Sequence, residues 1–558
     1  MSHEQPRQEK ARRGFSVSYK GKTLLSRIDP VAQGERTVQA ASLDAGTLYV
    51  CPSPLYGYGL AWLLEHIPTD SAILAIELDE QLYGLSQNAL EGLLKTHRTL
   101  GLLRFGDPER VCAWVKRAWG SRRFRRLETL RVSGGWQLYE AEYARILEAL
   151  RRDIALDWGN AMTLVHMGRR YLWNTFRNLP LLARTTVLQR GVWGAAPVLV
   201  LGAGPSLDGV LDGLHRTWGA VLAEPERPFK LLAVDTCLPA LKDRNIRPDL
   251  AVALESQHWN LRDFIGLGSW EIPLAMDLSA LPATREVLGG YPRLFVTPWA
   301  PLRLFTRLKA ARLLPETFPP LGSVGLTAVA LAQRLSSGPI IVAGLDFSFT
   351  LDRFHARATP GHRDTLARHT RLRGLFMAET AFRPGTGAVR SKSGLPQRTD
   401  PVMKTYRDLF EQEFARDSRI HDIYGLGLPL GLSTLSLEDA LEILAREGPQ
   451  GSAPAPSAPL PDARDREVAV GAFIAQEQAA LLRLRDLLTG ARPPDTAVLE
   501  TMLDESDHLW AHFPECAGAG GRRPPATDRS FLTRVRLEID PLITTTCRGG
   551  ITSNGSGG

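Results

Sequence analysis

The sequence predicts an α/β protein organised around a doubly wound, mostly parallel sheet, and three features carry that prediction. Short apolar runs recur at 197–201, 231–234, 250–254, 293–296 and 340–343, with helical stretches between them. Runs of this kind fit strands covered on both faces by crossover helices. Two of them lead straight into glycine turns, Gly202-Ala-Gly-Pro-Ser-Leu and Gly344-Leu-Asp-Phe-Ser, and such turns lie at the sheet edge where open α/β folds bind ligands. Finally, 558 residues are too many for one core and imply three or four units on the usual scale of roughly 100–200 residues per domain.

In chain order, 47–51 reads as a strand, 54–59 as a Gly- and Tyr-containing turn, 60–66 as a helix and 72–78 as a second strand ending near Glu77, Asp79 and Glu80. An acidic group about 20 positions past the glycines is the layout of a Rossmann-type βαβ unit. Residues 1–126 are therefore read as a Rossmann-like domain, either keeping only the shape or holding a nucleotide or methyl donor. From 127 to 190 apolar residues recur at helical spacing, predicting a helical bridge. Residues 191–448 form the central α/β domain, with further helices at 208–215, 325–334 and 401–414. The Gly-, Ser-, Ala- and Pro-rich stretch 449–465 reads as a flexible linker. Residues 466–558 read as a helical C-terminal region (466–488 and 496–512), loosely ordered at 516–527 and with a disordered tail from 549.

The composition is that of a folded chain, 44% hydrophobic and 23% charged. A net charge of +7 is spread along the sequence and dominated by Arg. No nucleic-acid module is visible, and a basic balance equally attracts anionic sugar nucleotides. Five separated cysteines without a CxxC pair argue against a thiolate metal site and fit a reducing compartment. The start is polar and no run of eighteen apolar residues occurs, so neither a secretory signal nor a membrane span is expected and the protein is predicted to be cytoplasmic.

Chemistry concentrates at the strand ends. A strand entering Gly202-x-Gly204 and opening a helix brings backbone N–H groups and the positive end of a helix dipole to one point, which attracts phosphate. The glycines leave room for an anion, Pro205 presets the first helical turn, and Ser206 adds a hydroxyl. Asp235 and Thr236 end the next strand, and Glu255 the one after. Ser323, in Gly322-Ser-Val-Gly325, begins a helix and offers a second set of N–H donors. Asp346 closes the strand 340–343, and His355 follows in a loop rich in Arg and His, where it could serve as acid, base or phosphate contact.

With these residues laid out, the chain resembles the motility-associated-factor (Maf) glycosyltransferases, a bacterial family also labelled MptE-like. The likeness spans about residues 25–450. It rests on the Tyr-Gly-Tyr-Gly-Leu turn at 56–60, the Gly202 turn, Ile246-Arg-Pro-Asp249, Gly322-Ser-Val-Gly325, Gly344-Leu-Asp-Phe-Ser348 and Phe354-His-Ala356. It implies a central domain similar to bacterial sialyltransferases and transfer of a pseudaminic- or legionaminic-type nonulosonic acid from its CMP form to Ser or Thr of flagellin, in flagellar modification and motility. On that likeness Gly202 to Leu207 would hold the CMP phosphate, Asp235 and Thr236 the nucleoside, and Ser323 the cytidine side. His355 and Asp346 are the catalytic candidates. The CMP-sugar is a substrate, no cofactor is firmly implied, and a divalent metal is left open.

The pattern departs from its relatives twice. The stretch 389–405 lacks the histidine that those sialyltransferases carry, so the role of His355 rests on position alone. Where pterin pyrophosphokinases of the MptE type cluster acidic residues for Mg²⁺, Glu255 stands alone. An ATP- and Mg²⁺-dependent 6-hydroxymethylpterin pyrophosphokinase is the alternative enzyme class, and a non-catalytic flagellin-interaction protein is the third reading. The C-terminal helices are suited to docking the acceptor or to pairing two copies of the chain.

Overall fold

The computed structural model describes residues 5–446 and 463–548, apart from 121–122, 186–187, 225, 269, 290–291, 373, 375–381, 491–494 and 519–520. The linker read at 449–465 lies outside the described residues up to 462, as does the tail from 549. The chain forms two compact units, Met1–Met167 with Trp510–Pro524 and Gly168–Leu509 with Pro525–Gly558.

The first unit opens with an antiparallel ribbon, β1 (Arg7–Lys10), β2 (Phe15–Tyr19) and β3 (Lys22–Thr23). A parallel sheet follows, made of β4 (Thr47–Pro52), β5 (Ala72–Ile76), β6 (Leu100–Leu103) and β7 (Arg126–Thr129) in the order β6-β5-β4-β7. All residues of β4 and β5 are buried. Leu48 and Val50 face one cluster with Tyr143 and Ile146, while Tyr49 and Cys51 face another with Leu60 and Leu63. That two-sided burial is why these strands read as unbroken apolar runs. Residues 126–129 correct the expectation of a bridge helical from its start: Arg-Leu-Glu-Thr is an edge strand, whose partly exposed side chains break the apolar signal. The rest of that stretch holds one 39-residue helix, Glu140–Asn178.

The second unit is built on nine parallel strands: β8 (Val198–Leu201), β9 (Lys230–Val234), β10 (Leu250–Ala253), β11 (Leu274–Asp277), β12 (Arg293–Val296), β13 (Glu316–Thr317), β14 (Ile340–Ala343), β17 (Ile420–Ile423) and β18 (Ser433–Leu435). A separate hairpin, β15 (Gly387–Arg390) with β16 (Pro396–Thr399), lies between β14 and β17 in the chain. The sheet order is β13-β12-β11-β10-β9-β8-β14-β17-β18. Strands thus spread outward from β8 to β13, and the chain then returns to the far side of β8 through the helix Val324–Leu335. The reversal makes the gap between the ends of β8 and β14 the topological switch point, where open α/β sheets bind ligands.

Helices Leu437–Ala445, Ala463–Thr489, Thr496–Glu505 and Arg529–Arg548 complete the described chain. The helix expected over 496–512 ends at Glu505, because the Ser506 amide returns to the Met502 and Leu503 carbonyls and the chain turns into a short 3-10 segment, Asp507–Leu509. Among the described residues no helix is long and apolar enough to cross a membrane. Cys51, Cys112, Cys237 and Cys516 are free thiols.

Candidate functional site

At the switch point the two glycine turns close on each other. The Gly202 amide donates to the Ala343 carbonyl and the Gly204 amide to the Gly344 carbonyl, both at 2.8 Å. A β-carbon on Gly202 would lie 2.4 Å from the Gly344 oxygen, and one on Gly204 2.6 Å from an Asp346 oxygen. Glycine is required here because two backbones touch.

Asp346 completes the closure. Its carboxylate accepts the Ser206 amide at 2.7 Å and the Ser206 hydroxyl at 2.5 Å, while the Gly344 amide donates to that hydroxyl at 3.2 Å. Ser206 stands at the N-terminus of the helix Leu207–Trp218, so the carboxylate of Asp346 occupies the place that sequence reasoning gave to a phosphate. The expected role of Gly202 to Leu207 is corrected to this extent: the Gly202, Gly204, Ser206 and Leu207 amides already have protein partners, and Pro205 has no N–H to offer. Burial raises the Asp346 pKa, while the Ser206 hydrogen bonds and Lys392 oppose the rise.

The second set of donors stays open. At the N-terminus of Val324–Leu335 the half-buried Ser323 makes no side-chain cap, and its carbonyl accepts the Thr327 amide and hydroxyl, both at 3.1 Å. The Val324, Gly325 and Leu326 amides make no hydrogen bond to another described residue. Such orphan donors, with the helix dipole behind them, are suited to an anion. Tyr406 packs over Gly322, whose φ of +70° keeps the turn tight.

Asp235 and Thr236 emerge at the end of β9 as expected, in company that the sequence did not reveal. Asp235 is buried and accepts the Thr236 amide at 2.9 Å and Asn260 Nδ2 at 3.1 Å. The Thr236 hydroxyl reaches Asp263 at 3.1 Å. Asn260 and Asp263 lie on the short 3-10 segment His258–Phe264, which carries no periodic signal. Burial and the neighbouring carboxylate raise the Asp235 pKa, and burial raises that of Asp263. Two like charges in a dry site resist joint ionisation, so the pair holds a proton that one carboxylate alone would release. Glu255 is exposed and accepts the Ser256 and Gln257 amides, at 3.0 and 3.2 Å, capping its own loop.

His355 is not brought to Asp346: no hydrogen bond joins them among the described residues, and Asp346 is turned toward Ser206. The imidazole is half-buried against Phe354, at 4.8 Å between ring centres, and lines a cavity of about 200 Å³ with Arg353, His362 and Arg383. Burial, helped by the charge of Arg262, pushes its pKa down to about 4, so the ring is neutral at pH 7. The loop that carries it is pinned by buried Asp208, which takes Arg353 Nη1 at 2.5 Å and the Arg357 amide at 3.1 Å, with Arg244 Nη2 at 3.5 Å. The Arg357 guanidinium joins at 3.4 Å, and Asp212 and Asp352 in turn pair with Arg244 and Arg353 at 3.5 and 3.3 Å, so the charges on this wall are matched.

Sequence reasoning also missed the pair formed by Lys392 and Asp422. The ammonium group meets both carboxylate oxygens at 2.8 Å, and both side chains are buried. Lys392 comes from the turn of the β15–β16 hairpin, and that hairpin is tied to the Asp346 turn through the Ser348 hydroxyl on Gln397 and the Thr399 hydroxyl on the Phe347 carbonyl, at 3.0 and 2.8 Å. Among the described residues no group of three His, Cys, Asp or Glu side chains could hold a metal ion.

Comparison with known proteins fits this geometry. Over 96% of its length the chain is 30% identical to an uncharacterized protein of Treponema pallidum (strain Nichols), covering 94% of that protein. The chain belongs to that protein's family. Residues 173–352 match the family described as 6-hydroxymethylpterin diphosphokinase MptE-like. This MptE-like domain holds both switch-point turns, Asp235, Asp263 and Ser323, and stops short of His355 and Lys392. A solved structure, the MAf glycosyltransferase from Magnetospirillum magneticum AMB-1, shares the fold with a TM-score of 0.53 at 14% identity, over 98% of this chain and 86% of that one. The MptE-like domain therefore sits within a Maf-like fold.

Proposed function

We propose that this chain is a glycosyltransferase that moves a nonulosonic acid from its CMP-linked form to a Ser or Thr hydroxyl of flagellin. The observation that carries this reading is the sheet edge itself, where the open N-terminus at Ser323 lies on the same rim as a switch point already closed by Asp346. In the reaction the glycosidic carbon–oxygen bond to phosphate breaks and its electron pair leaves with CMP. The Val324, Gly325 and Leu326 amides and the Ser323 hydroxyl stabilise that charge. Thr236, with the proton-sharing Asp235 and Asp263, addresses the nucleoside. The acceptor oxygen bonds to the sugar carbon, and neutral His355 takes its proton. Arg383, on the wall of the adjoining cavity, is the cation suited to an anionic sugar. Asp346, Gly202, Gly204, Pro205 and Ser206 act as positioning residues, and Glu255 shapes its loop.

The Maf-like fold and the MptE-like match support the reading. It is tested by incubating the protein with a CMP-nonulosonate and flagellin and weighing intact flagellin. The expected result is a gain of one sugar residue per site, and a rate lowered about 10²–10⁴-fold in His355→Ala with CMP binding kept. Unchanged flagellin beside unconsumed donor overturns the reading.

The family description favours a second reading, diphosphate transfer from ATP to a hydroxymethylpterin. That chemistry normally relies on Mg²⁺ held by carboxylates and phosphates. Asp235, Asp263 and Glu255 are the carboxylates that influence one another here. Release of AMP from ATP in the presence of the pterin and Mg²⁺ would favour it over sugar transfer.

A further inference from the structure

We propose that a second ligand site, for a neutral polyhydroxylated molecule such as a sugar ring, lies between the C-terminal half of the helix Glu140–Asn178, the loop after β11 and the helix Arg529–Arg548. A cavity of about 570 Å³ opens there, within the usual range of small-molecule sites at about 300–1,000 Å³ and far above the ~30 Å³ that one water fills. It stands three strands from β8 in the sheet order, about 14 Å at ~4.8 Å per strand. The site is thus separate from the switch point, and the inference does not rest on the nucleotide reading.

Its lining is unfinished. Asn178 is 0% exposed, and its Nδ2 is committed to the Leu278 and Ala280 carbonyls at 3.0 and 2.9 Å, while its Oδ1 has no hydrogen-bond partner. The indole N–H of Trp173, which lines the same cavity, is also buried and unpartnered. The hydroxyl of fully buried Thr284, in the first turn of the helix Ala283–Leu288 that follows Pro282, is unpartnered too. Native interiors leave few polar atoms in this state, and three within one neighbourhood point to something that belongs there.

The chemistry selects the class. Asn178 Oδ1 can only accept, so a bare phosphate or carboxylate finds no donor in it; Trp173 Nε1 can only donate. A hydroxyl does both, and adjacent hydroxyls on one ring can serve the two atoms together. Trp173, Pro282 and Pro541 supply apolar surface for the C–H face of such a ring. The lining carries two guanidinium groups, Arg177 and Arg285, and one carboxylate, Glu286, with Arg177 and Glu286 exposed to water, so the Asn178 and Trp173 atoms rather than charge define the ligand class.

The test titrates the full chain with the methyl glycosides of glucose, galactose and N-acetylglucosamine, read by saturation-transfer NMR and tryptophan fluorescence. At least one is expected to bind saturably in the millimolar range, without competition from CMP. Trp173→Phe keeps the ring and loses the donor, and should weaken binding about five-fold, the worth of one hydrogen bond. Thr544 is exposed, lines the cavity and donates only within its own helix, to the Asp540 carbonyl. Thr544→Trp should therefore fold with an unchanged Tm, fill the cavity and weaken binding at least ten-fold. The inference is overturned if none of the three glycosides binds, if CMP displaces them, or if binding survives intact in a folded Thr544→Trp protein.

Discussion

Asp346→Ala is the perturbation that separates a closed turn from an open phosphate cradle. The wild-type carboxylate accepts two hydrogen bonds from Ser206, at 2.7 and 2.5 Å, at the start of the helix Leu207–Trp218. Hydrogen bonds to a charged group contribute about 1.5–3 kcal/mol each. Burial of the carboxylate, visible in its raised pKa, offsets part of that, so the alanine variant should lose about 2–4 kcal/mol and Asp346→Asn about half as much. Urea unfolding followed by circular dichroism and tryptophan fluorescence measures the loss in the second unit; the two-unit chain calls for separate transitions in the fit. Because alanine vacates an anion position at a helix N-terminus, formate at about 0.1 M should restore part of the stability of Asp346→Ala and leave the wild type unaffected. An alanine variant within about 0.5 kcal/mol of wild type, or one that is equally stable and binds CMP more tightly, would refute the reasoning, since the slot would then belong to the nucleotide.

Other consequences follow from the same geometry. Gly204→Ala drives a β-carbon to 2.6 Å from Asp346 and 2.8 Å from the Gly344 carbonyl, and should cost about 2 kcal/mol or more by overpacking; a variant with wild-type Tm and only weaker CMP binding would contradict this. Glu77 is buried beneath Ser53, whose hydroxyl donates to it at 2.6 Å, and burial pushes its pKa up to about 7. A raised acid contributes stability that is present below the ordinary carboxylate range and lost as pH rises through about 7, here of order 3 kcal/mol. Glu77→Gln should flatten that decline in the first unit, so denaturation midpoints at pH 4 and pH 8 should converge. Lys392→Met strands Asp422, whose own pKa is already pushed up to about 6, and should cost about 3–5 kcal/mol, whereas Lys392→Met with Asp422→Leu should recover most of it. If the double variant is no better than the single one, the ion pair does not act as a unit. The His355 ring protons should show no titration by NMR between pH 5.5 and 8, since its pKa is pushed down to about 4.

The legible strands were ones buried on both faces, although β11, Leu-Ala-Met-Asp, is equally buried and was not foreseen, its short run ending in the charged Asp277. β8, β9, β12 and β14 are apolar or nearly so and are followed by turns, and each was found within about one residue. β17, Ile-His-Asp-Ile, and β7, Arg-Leu-Glu-Thr, carry polar residues in their runs, and neither announces itself by composition. At the site, Ser206 and Asp346 were each singled out, but their union was hidden because it depends on β8 and β14 becoming neighbours. The same cause hid Asp263, which reaches Thr236 from a 3-10 segment without periodicity, and Lys392, whose partner lies 30 residues away.

The cap on Ser206 comes from 140 residues further along the chain. A ribosome adding ~5–20 residues per second takes about 7–28 s to traverse that distance. For that interval the first βαβ segment of the nascent second unit lacks the carboxylate that finishes its leading helix, and it must wait for β14 to emerge before the turn can lock.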